Sequence, residues 1–339
     1  MRTSYIIYLL LFSVFLTACQ QQEYVKINGQ TMGTYYTLQF KPESQSVDGL
    51  SAQVEQRLEQ LNQNLSTYID DSDLTTLNRS VGRRCFKVSQ DTLAVVSEAL
   101  RIHQLSDGAF DPGLGPLIEL WGFDKKQINN QVPADELIKE RQAMINFTDT
   151  QVRQEQGCIV KGNDLLQINL SAIAKGYAVD ELIAILEQQY GIQNYLVEIG
   201  GELRVNGNNA HNKPWTVAIE SPDPGSRSVQ KVITPIDMAV ATSGDYRNFF
   251  EKDGKRYSHT INPISGYPIE HKLASITVLH PSTMTADAMA TTLMVLGEKA
   301  GKDFAQQHNL PVFMIIKSDD GFKEYYNDAF KPYLKSATQ

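Results

Sequence analysis

"AIAKGYAVDELIAILEQQYGIQNYLVEIGGELRVNG" (residues 172–207) sets the fold class of this chain. Its first half carries apolar residues at helical spacing and stops at Gly191, a residue that commonly closes a helix. Its second half, residues 195–207, is rich in β-branched and apolar residues on both sides of a Gly pair, so it reads as strand, turn and strand. A helix that runs into a strand pair, rather than into one strand before the next helix, departs from the strict alternation of a doubly wound sheet. The class expected is α+β, with mixed or antiparallel sheets and packed helices.

The same mixture extends outward in both directions. Toward the N-terminus, residues 26–40 read as a strand or hairpin and residues 47–68 as a helix through Val54, Leu58, Leu61 and Leu65. Residues 89–110 form a helix opened by Ser89, and residues 111–123 a Pro/Gly-rich loop with an aromatic end. A third helix is expected at 133–144, with short strands around Val152 and over Leu165–Leu170. Toward the C-terminus, strands are expected in "WTVAIESP", "DMAVATSGDY", "KRYSHTINPISGYPI" and "LASITVLHP". A helix at 285–297 and a closing hairpin in "LPVFMIIKSDDGFKEYYN" follow. No repeat and no linker interrupts the series.

The bulk numbers exclude some functions. The 339 residues suffice for a sizeable core, 42% are hydrophobic, and the net charge is −8. An acidic body without a long basic run argues against wrapping nucleic acid. "GCIVKGN" (157–163) has P-loop glycine spacing but Asn163 where a Lys is needed, and neither G-x-G-x-x-G nor G-x-S-x-G occurs. None of the six histidines pairs as H-x-x-x-H, and the cysteines lack metal-ligand spacing, so zinc is not expected.

The N-terminus reads as an export signal. "MRTSYIIYLLLFSVFLTAC" has one Arg, an apolar run from Tyr5 to Leu16 that is short for a membrane span, and small residues ending at Cys19. "LTAC" (16–19) resembles the lipobox of bacterial lipoproteins, in which the Cys receives the lipid. That divides the chain into a signal peptide (1–18), a lipidated tether (19–24) and one domain (25–339). Lipid burial contributes ~0.8 kcal/mol per CH₂, enough for a multiply acylated Cys19 to anchor firmly. In an oxidising compartment Cys85 and Cys158 are either one disulfide or two free thiols, and the sequence leaves both open.

Four stretches carry candidate chemistry. In "TADAMATTLMVLG" (285–297) Asp287 and Thr291 share a helical face. Together they offer hard oxygens of the kind Mg²⁺ takes; the alternative is an Asp capping its own helix. In "NLSAIAKGYAVD" (169–180) a helix opening near Ser171 would favour an anion, and Lys175 in its first turn opposes the macrodipole unless an anion is near; the alternative is a surface Lys. His259, at a strand end in residues 241–268, is either structural or a general base. In "DGAFDPGLGPLIELWGF" (107–123) Phe110, Trp121 and Phe123 suit stacking on a planar ring, or simply pack a turn.

Together these stretches resemble the ApbE family, the FAD:protein FMN transferases. The resemblance runs through "TMGT" (31–34), "STY" (66–68), "GAFDP" (108–112), "LWGF" (120–123), "LSAIAKGYAVD" (170–180), "EIGGELR" (198–204), "ATSGDYRNFF" (241–250), "YSHTINP" (257–263) and "TADAMATTL" (285–293). It implies an ApbE-like, T-fold-like architecture. It also implies transfer of FMN from FAD, with Mg²⁺, onto a Thr or Ser hydroxyl of a target protein and release of AMP. By motif position, Met32, Tyr68, Ala109, Phe110, Asp111, Asn169, Lys175 and Ile261 would contact FAD. At Asn169 the family often has Asp, and an amide brings no charge there. The Ala172 carbonyl, Asp287 and Thr291 would hold the metal, and His259 matches the catalytic His, with Asp287 beside it in the chemistry. Acceptors implied are subunits of the sodium-translocating NADH:quinone oxidoreductase or of the Rnf complex, on the periplasmic side of a bacterial membrane, the inner one favoured. Two rivals use the same residues: a Mg²⁺-dependent FAD pyrophosphatase with water as acceptor, and a lipoprotein that only captures flavin.

Overall fold

The computed structural model describes residues 24–43, 46–123, 131–222, 228–245 and 249–335. The signal peptide and Cys19 lie outside them. The described part opens with a hairpin, β1 (Val25–Thr31) and β2 (Thr34–Phe40), whose two-residue turn holds Met32 and Gly33 at φ 50° and 73°. Two positive φ values in succession match the right-handed twist of the strands. Then come α1 (Leu50–Leu65), α2 (Asp73–Arg79), β3 (Phe86–Lys87), α3 (Gln90–Leu105), α4 (Gly115–Leu120), α5 (Asp135–Gln142), β4 (Gln151–Arg153) and β5 (Cys158–Val160). The second half holds α6 (Ala174–Ala184), which relaxes into a π-turn over Ile185–Gln189, then β6 (Tyr195–Ile199), β7 (Glu202–Asn206), β8 (Val217–Glu220) and β9 (Val229–Ile233). It ends with β10 (Ala239–Gly244), β11 (Phe249–Lys252), β12 (Lys255–Ser258), β13 (Leu273–His280), α7 (Thr283–Gln307), β14 (Val312–Ser318), β15 (Gly321–Tyr326) and a 3₁₀ turn at Asp328–Tyr333.

Eight strands form one sheet in the order β1-β2-β6-β7-β10-β13-β14-β15, and its pairings are all antiparallel. Helices α6 and α7 cover one face, α6 over β6 and β7, α7 over β10 and β13. The other face is closed by Trp215, Ile219, Ile233 and Phe330 against Val205, Val240, Leu279 and Phe313. The fold is therefore α+β, as the sequence predicts. The strand β13 is buried along almost its whole length because both faces are covered, whereas β1 alternates. The pairing of β7 with β10 covers only Ala239–Val240 against Leu203–Arg204. Beyond that point the two strands part, and the gap opens toward the N-terminal end of α6.

Two local expectations are corrected and one open alternative is closed. Residues 111–123 are not all loop: Pro116 sits in the first turn of α4, where its fixed φ suits a helix. Residues Leu165–Leu170 make one isolated bridge, Leu114 to Gln167, rather than a strand. The strand is instead β5, inside the stretch with P-loop spacing; its three residues are all buried, so no alternation marks it. Cys85 and Cys158 form a disulfide with Cα atoms 5.3 Å apart, which settles the open alternative.

Candidate active site

Where β7 and β10 part, a cavity of about 790 Å³ opens between the sheet, α6 and α7. Its wall brings together Tyr68, Ala109, Phe110, Asp111, Asn169, Ala172, Lys175, His259, Ile261, Asp287 and Thr291. They come from separate segments spread along most of the chain. Met32 lies outside this wall, half-buried against the main core in the β1–β2 turn, while its neighbours Thr34 and Tyr35 line the cavity. Cys19 falls outside the described residues.

The α6–α7 contact fixes the most buried corner. Helix α7 is capped from two sides: Ser282 Oγ accepts from the Thr285 N–H, and Asp180 of α6 accepts from the N–H groups of Thr283 and Met284 and from the Ser282 hydroxyl. Asp287 is thereby released from capping its own helix, and that alternative is excluded. Its carboxylate turns to α6 and accepts from the Gly176 N–H at 3.0 Å, one of the donors a helix start leaves without partners. The approach requires glycine: a Cβ on Gly176 would lie 2.3 Å from the Thr283 carbonyl and 2.8 Å from Asp287 Cβ. Thr291 stands one helical turn further along the same wall.

Lys175 is not a surface lysine. Its side chain is 27% exposed and its ammonium lies 2.6 Å from Glu202, at the start of β7. Burial acts to lower its pKa, but the carboxylates of Asp287 and Glu202 outweigh this and hold it above the ordinary lysine value. Burial pushes Glu202 up to about 7, with Asp287 adding to the rise and Lys175 opposing it. Burial likewise raises Asp287, against Lys175 and the Gly176 N–H. Two carboxylates and one ammonium share a desolvated corner, which with both carboxylates ionised is one cation short of neutral, and burial acts against that charge. Glu202 is the residue that sequence reasoning missed. It stands in "EIGGELR", but its partner is far along the chain and only the β6–β7 turn at Gly200–Gly201 brings them together.

Other parts of the lining are held by their own hydrogen bonds. The Phe110 carbonyl lies 2.8 Å from His103 Nδ1, and Asp111 Oδ1 accepts from the Gly113 N–H at 2.7 Å. Burial pushes the Asp111 carboxyl up, with the His103 ring 3.7 Å away acting against it. Asn169 closes a turn by accepting from the Ser171 N–H. Ser171 does not cap α6, whose first residue is Ala174. Phe110 and Phe123 line the cavity, but Trp121 does not: it is 1% exposed, stacks on Tyr257 and donates its indole N–H to the Gly266 carbonyl. Phe110 is itself only 3% exposed and packed in the main core, so stacking on a ligand ring is open to the half-buried Phe123 and closed to the Trp121 and Phe110 rings. His259 follows β12 on the cavity wall, edge-on to Phe123.

Among the described residues no three His, Cys, Asp or Glu converge as a metal cage. Asp287, Thr291 and Ala172 all line the cavity, and a carboxylate, a hydroxyl and a main-chain carbonyl are the hard oxygens that suit Mg²⁺, an ion that keeps few protein ligands. The charge deficit of the corner fits a cation there. A hydroxyl-bearing acceptor, a phosphate-rich ligand and a histidine base can all be accommodated in a cavity of this size.

The profile of the ApbE family matches residues 32–314. A FAD:protein FMN transferase of Vibrio cholerae is 45% identical over 322 residues, 94% of this chain and 96% of that protein. The FAD:protein FMN transferase of Escherichia coli K12 is 37% identical over 340 residues, 97% of each. Among solved structures, the flavin transferase ApbE from Vibrio cholerae superposes with a TM-score of 0.85 at 44% identity, over 92% of this chain and 99% of that one. The ApbE protein of Thermotoga maritima gives 0.81 at 27% identity, over 93% and 100%.

Proposed function

This chain belongs to the ApbE family and transfers FMN from FAD to a target protein, and we propose that it does so with Mg²⁺, onto a Thr or Ser hydroxyl. The acceptor oxygen forms a bond to the flavin-side phosphorus of FAD, the bond from that phosphorus to the bridging oxygen breaks, and AMP departs. The product is a phosphoester-linked flavin. His259 takes the proton of the attacking hydroxyl. Lys175 sets a fixed positive charge against the pyrophosphate, the Phe123 ring shields the site from water, and Phe110 lies along the nucleotide. The Ala172 carbonyl, Asp287 and Thr291 would hold the ion. When bound, it supplies Lewis-acid neutralisation of the phosphate oxygens. Met32, Tyr68, Ala109, Asp111, Asn169 and Ile261 would position the nucleotide.

The observation that supports this reading best is the α6–α7 corner. A buried carboxylate hydrogen-bonded to a helix start, beside a lysine, in a cavity that a histidine also lines, suits phosphoryl transfer more than simple capture. We further propose that Cys19 carries a lipid anchor that holds the domain on the periplasmic face of a bacterial membrane. The acceptors proposed are flavin-bearing subunits of the sodium-translocating NADH:quinone oxidoreductase or Rnf type.

The test uses the detergent-solubilised chain with FAD, Mg²⁺ and such an acceptor. A fluorescent acceptor band on a denaturing gel, with one AMP released per flavin attached and no band in EDTA, is expected. AMP and free FMN without a band would favour water as acceptor instead. Asp287→Ala is expected to lower the Mg²⁺-dependent rate by at least roughly 10²-fold, in line with several kcal/mol of metal stabilisation. Full activity in that variant would refute the metal assignment.

A further inference from the structure

We infer that Glu202 holds the Lys175 ammonium away from Asp287, leaving the Asp287 carboxylate open to a divalent cation. The inference rests on the metal assignment above and adds a positioning residue to it. Lys175 and Gly176 are neighbours, and Gly176 donates to Asp287 at 3.0 Å, so the lysine stem starts beside that carboxylate. A four-carbon chain from that point can reach Asp287, and the Asp287 charge acts strongly on the ammonium. The direct contact nevertheless goes to Glu202 Oε2, at 2.6 Å, and among the described residues the ion pair of Lys175 is with Glu202 rather than Asp287.

The backbone commits Glu202 to this task. The Gly200–Gly201 turn, with φ values of 62° and 104°, brings the chain back so that Glu202 pairs with Ile199 at the mouth of the gap between β7 and β10. At 5% exposure the carboxylate is out of reach of bulk water. Lys175 is the charge acting on it that favours its ionised form, and Asp287 acts against it. A buried glutamate so placed needs the lysine, and by taking its direct contact leaves Asp287 with the Gly176 hydrogen bond and the lysine charge acting on it without a contact ion pair. Without the Glu202 charge, the nearest counter-ion for a desolvated ammonium is Asp287. Lys175 would then occupy the position of the metal as an internal competitor.

The test is Glu202→Gln, which keeps the shape and removes the charge. Mn²⁺ serves as the probe, with binding followed by its paramagnetic resonance in the absence of FAD and acceptor, together with a crystal structure of the variant. The expectation is at least a tenfold loss of Mn²⁺ affinity in E202Q, with Lys175 Nζ moved into contact with the Asp287 carboxylate. The double variant E202Q/K175M is expected to recover the affinity. Lys175→Met alone, which retains both carboxylates, is expected to bind Mn²⁺ at least as tightly as the parent chain, and it decides the matter if E202Q does not fold. Lys175 remaining at residue 202 in the E202Q crystal would overturn the inference, as would unchanged Mn²⁺ affinity in E202Q or weakened affinity in K175M. Failure of the parent chain itself to bind Mn²⁺ would instead overturn the metal assignment, and the position of Lys175 in the E202Q crystal would still decide whether Glu202 holds it.

Discussion

His259 stands one residue beyond β12, on the cavity wall and edge-on to Phe123. If it takes the acceptor proton, His259→Gln keeps a hydrogen-bonding group and loses the base. Transfer should fall by roughly 10²- to 10⁴-fold while FAD binding, read by fluorescence titration, changes little. A second residue governs stability rather than chemistry. Asp91 accepts from Arg57, Tyr177 and Asn64, which ties α3 to α1 and α6. Burial acts to raise its pKa, but those hydrogen bonds and the Arg57 charge outweigh burial and hold it below the ordinary Asp value. Between the folded and unfolded values the unfolded chain therefore binds the extra proton, so stability rises with pH there. The contribution is complete above the unfolded pKa of ~3.9 and is lost as pH falls through the lower folded one. Asp91→Asn should cost roughly 2 kcal/mol at pH 7, less than a fully buried pair because Arg57 keeps some exposure. On acidification from about pH 5 to about pH 2, denaturant melts should show the same variant losing less stability than the parent.

At the scale of elements, the capped and alternating segments are legible in the sequence alone. Ser89 does cap α3, accepting from the Thr92 N–H, and Gly191 does follow the end of α6 and its π-turn, at φ 65°. The hairpins β1–β2, β6–β7 and β14–β15 stand where the patterns put them. Illegible are the elements whose burial is set by distant neighbours. The three-residue β5 carries no alternation, and the 111–123 stretch hides α4 because Pro and Gly mark both loops and helix starts. The corner of the site shows the same division. Asp287 and Thr291 announce themselves by spacing on one helix, whereas Glu202 and Gly176 acquire their roles only when α6, α7 and β7 are brought together. Gly176→Ala tests that junction: a methyl 2.3 Å from a main-chain oxygen must push α6 and α7 apart. It should lower Tm despite the higher helix propensity of alanine, with a cost of about 1–3 kcal/mol for overpacking. It should also cut activity by moving the Gly176 N–H off Asp287.

At the scale of the whole molecule, one antiparallel sheet carries two cores, and its loosest seam, between β7 and β10, is where the cavity lies. A sheet interrupted there exposes side chains from both halves to one volume without breaking either core. The cavity wall at Ala109–Asp111 belongs to a part of the chain enclosed by the Cys85–Cys158 bond, which spans 73 residues. Closing a loop of that length restrains the unfolded chain by about 4 kcal/mol in the chain-entropy account. The bond also turns α3, α4 and α5 into a covalent ring. A protease that cuts once between the two half-cystines opens the ring without dividing the polypeptide. The nicked protein should run as a single species on a denaturing gel, and split into two fragments only when a reductant is added.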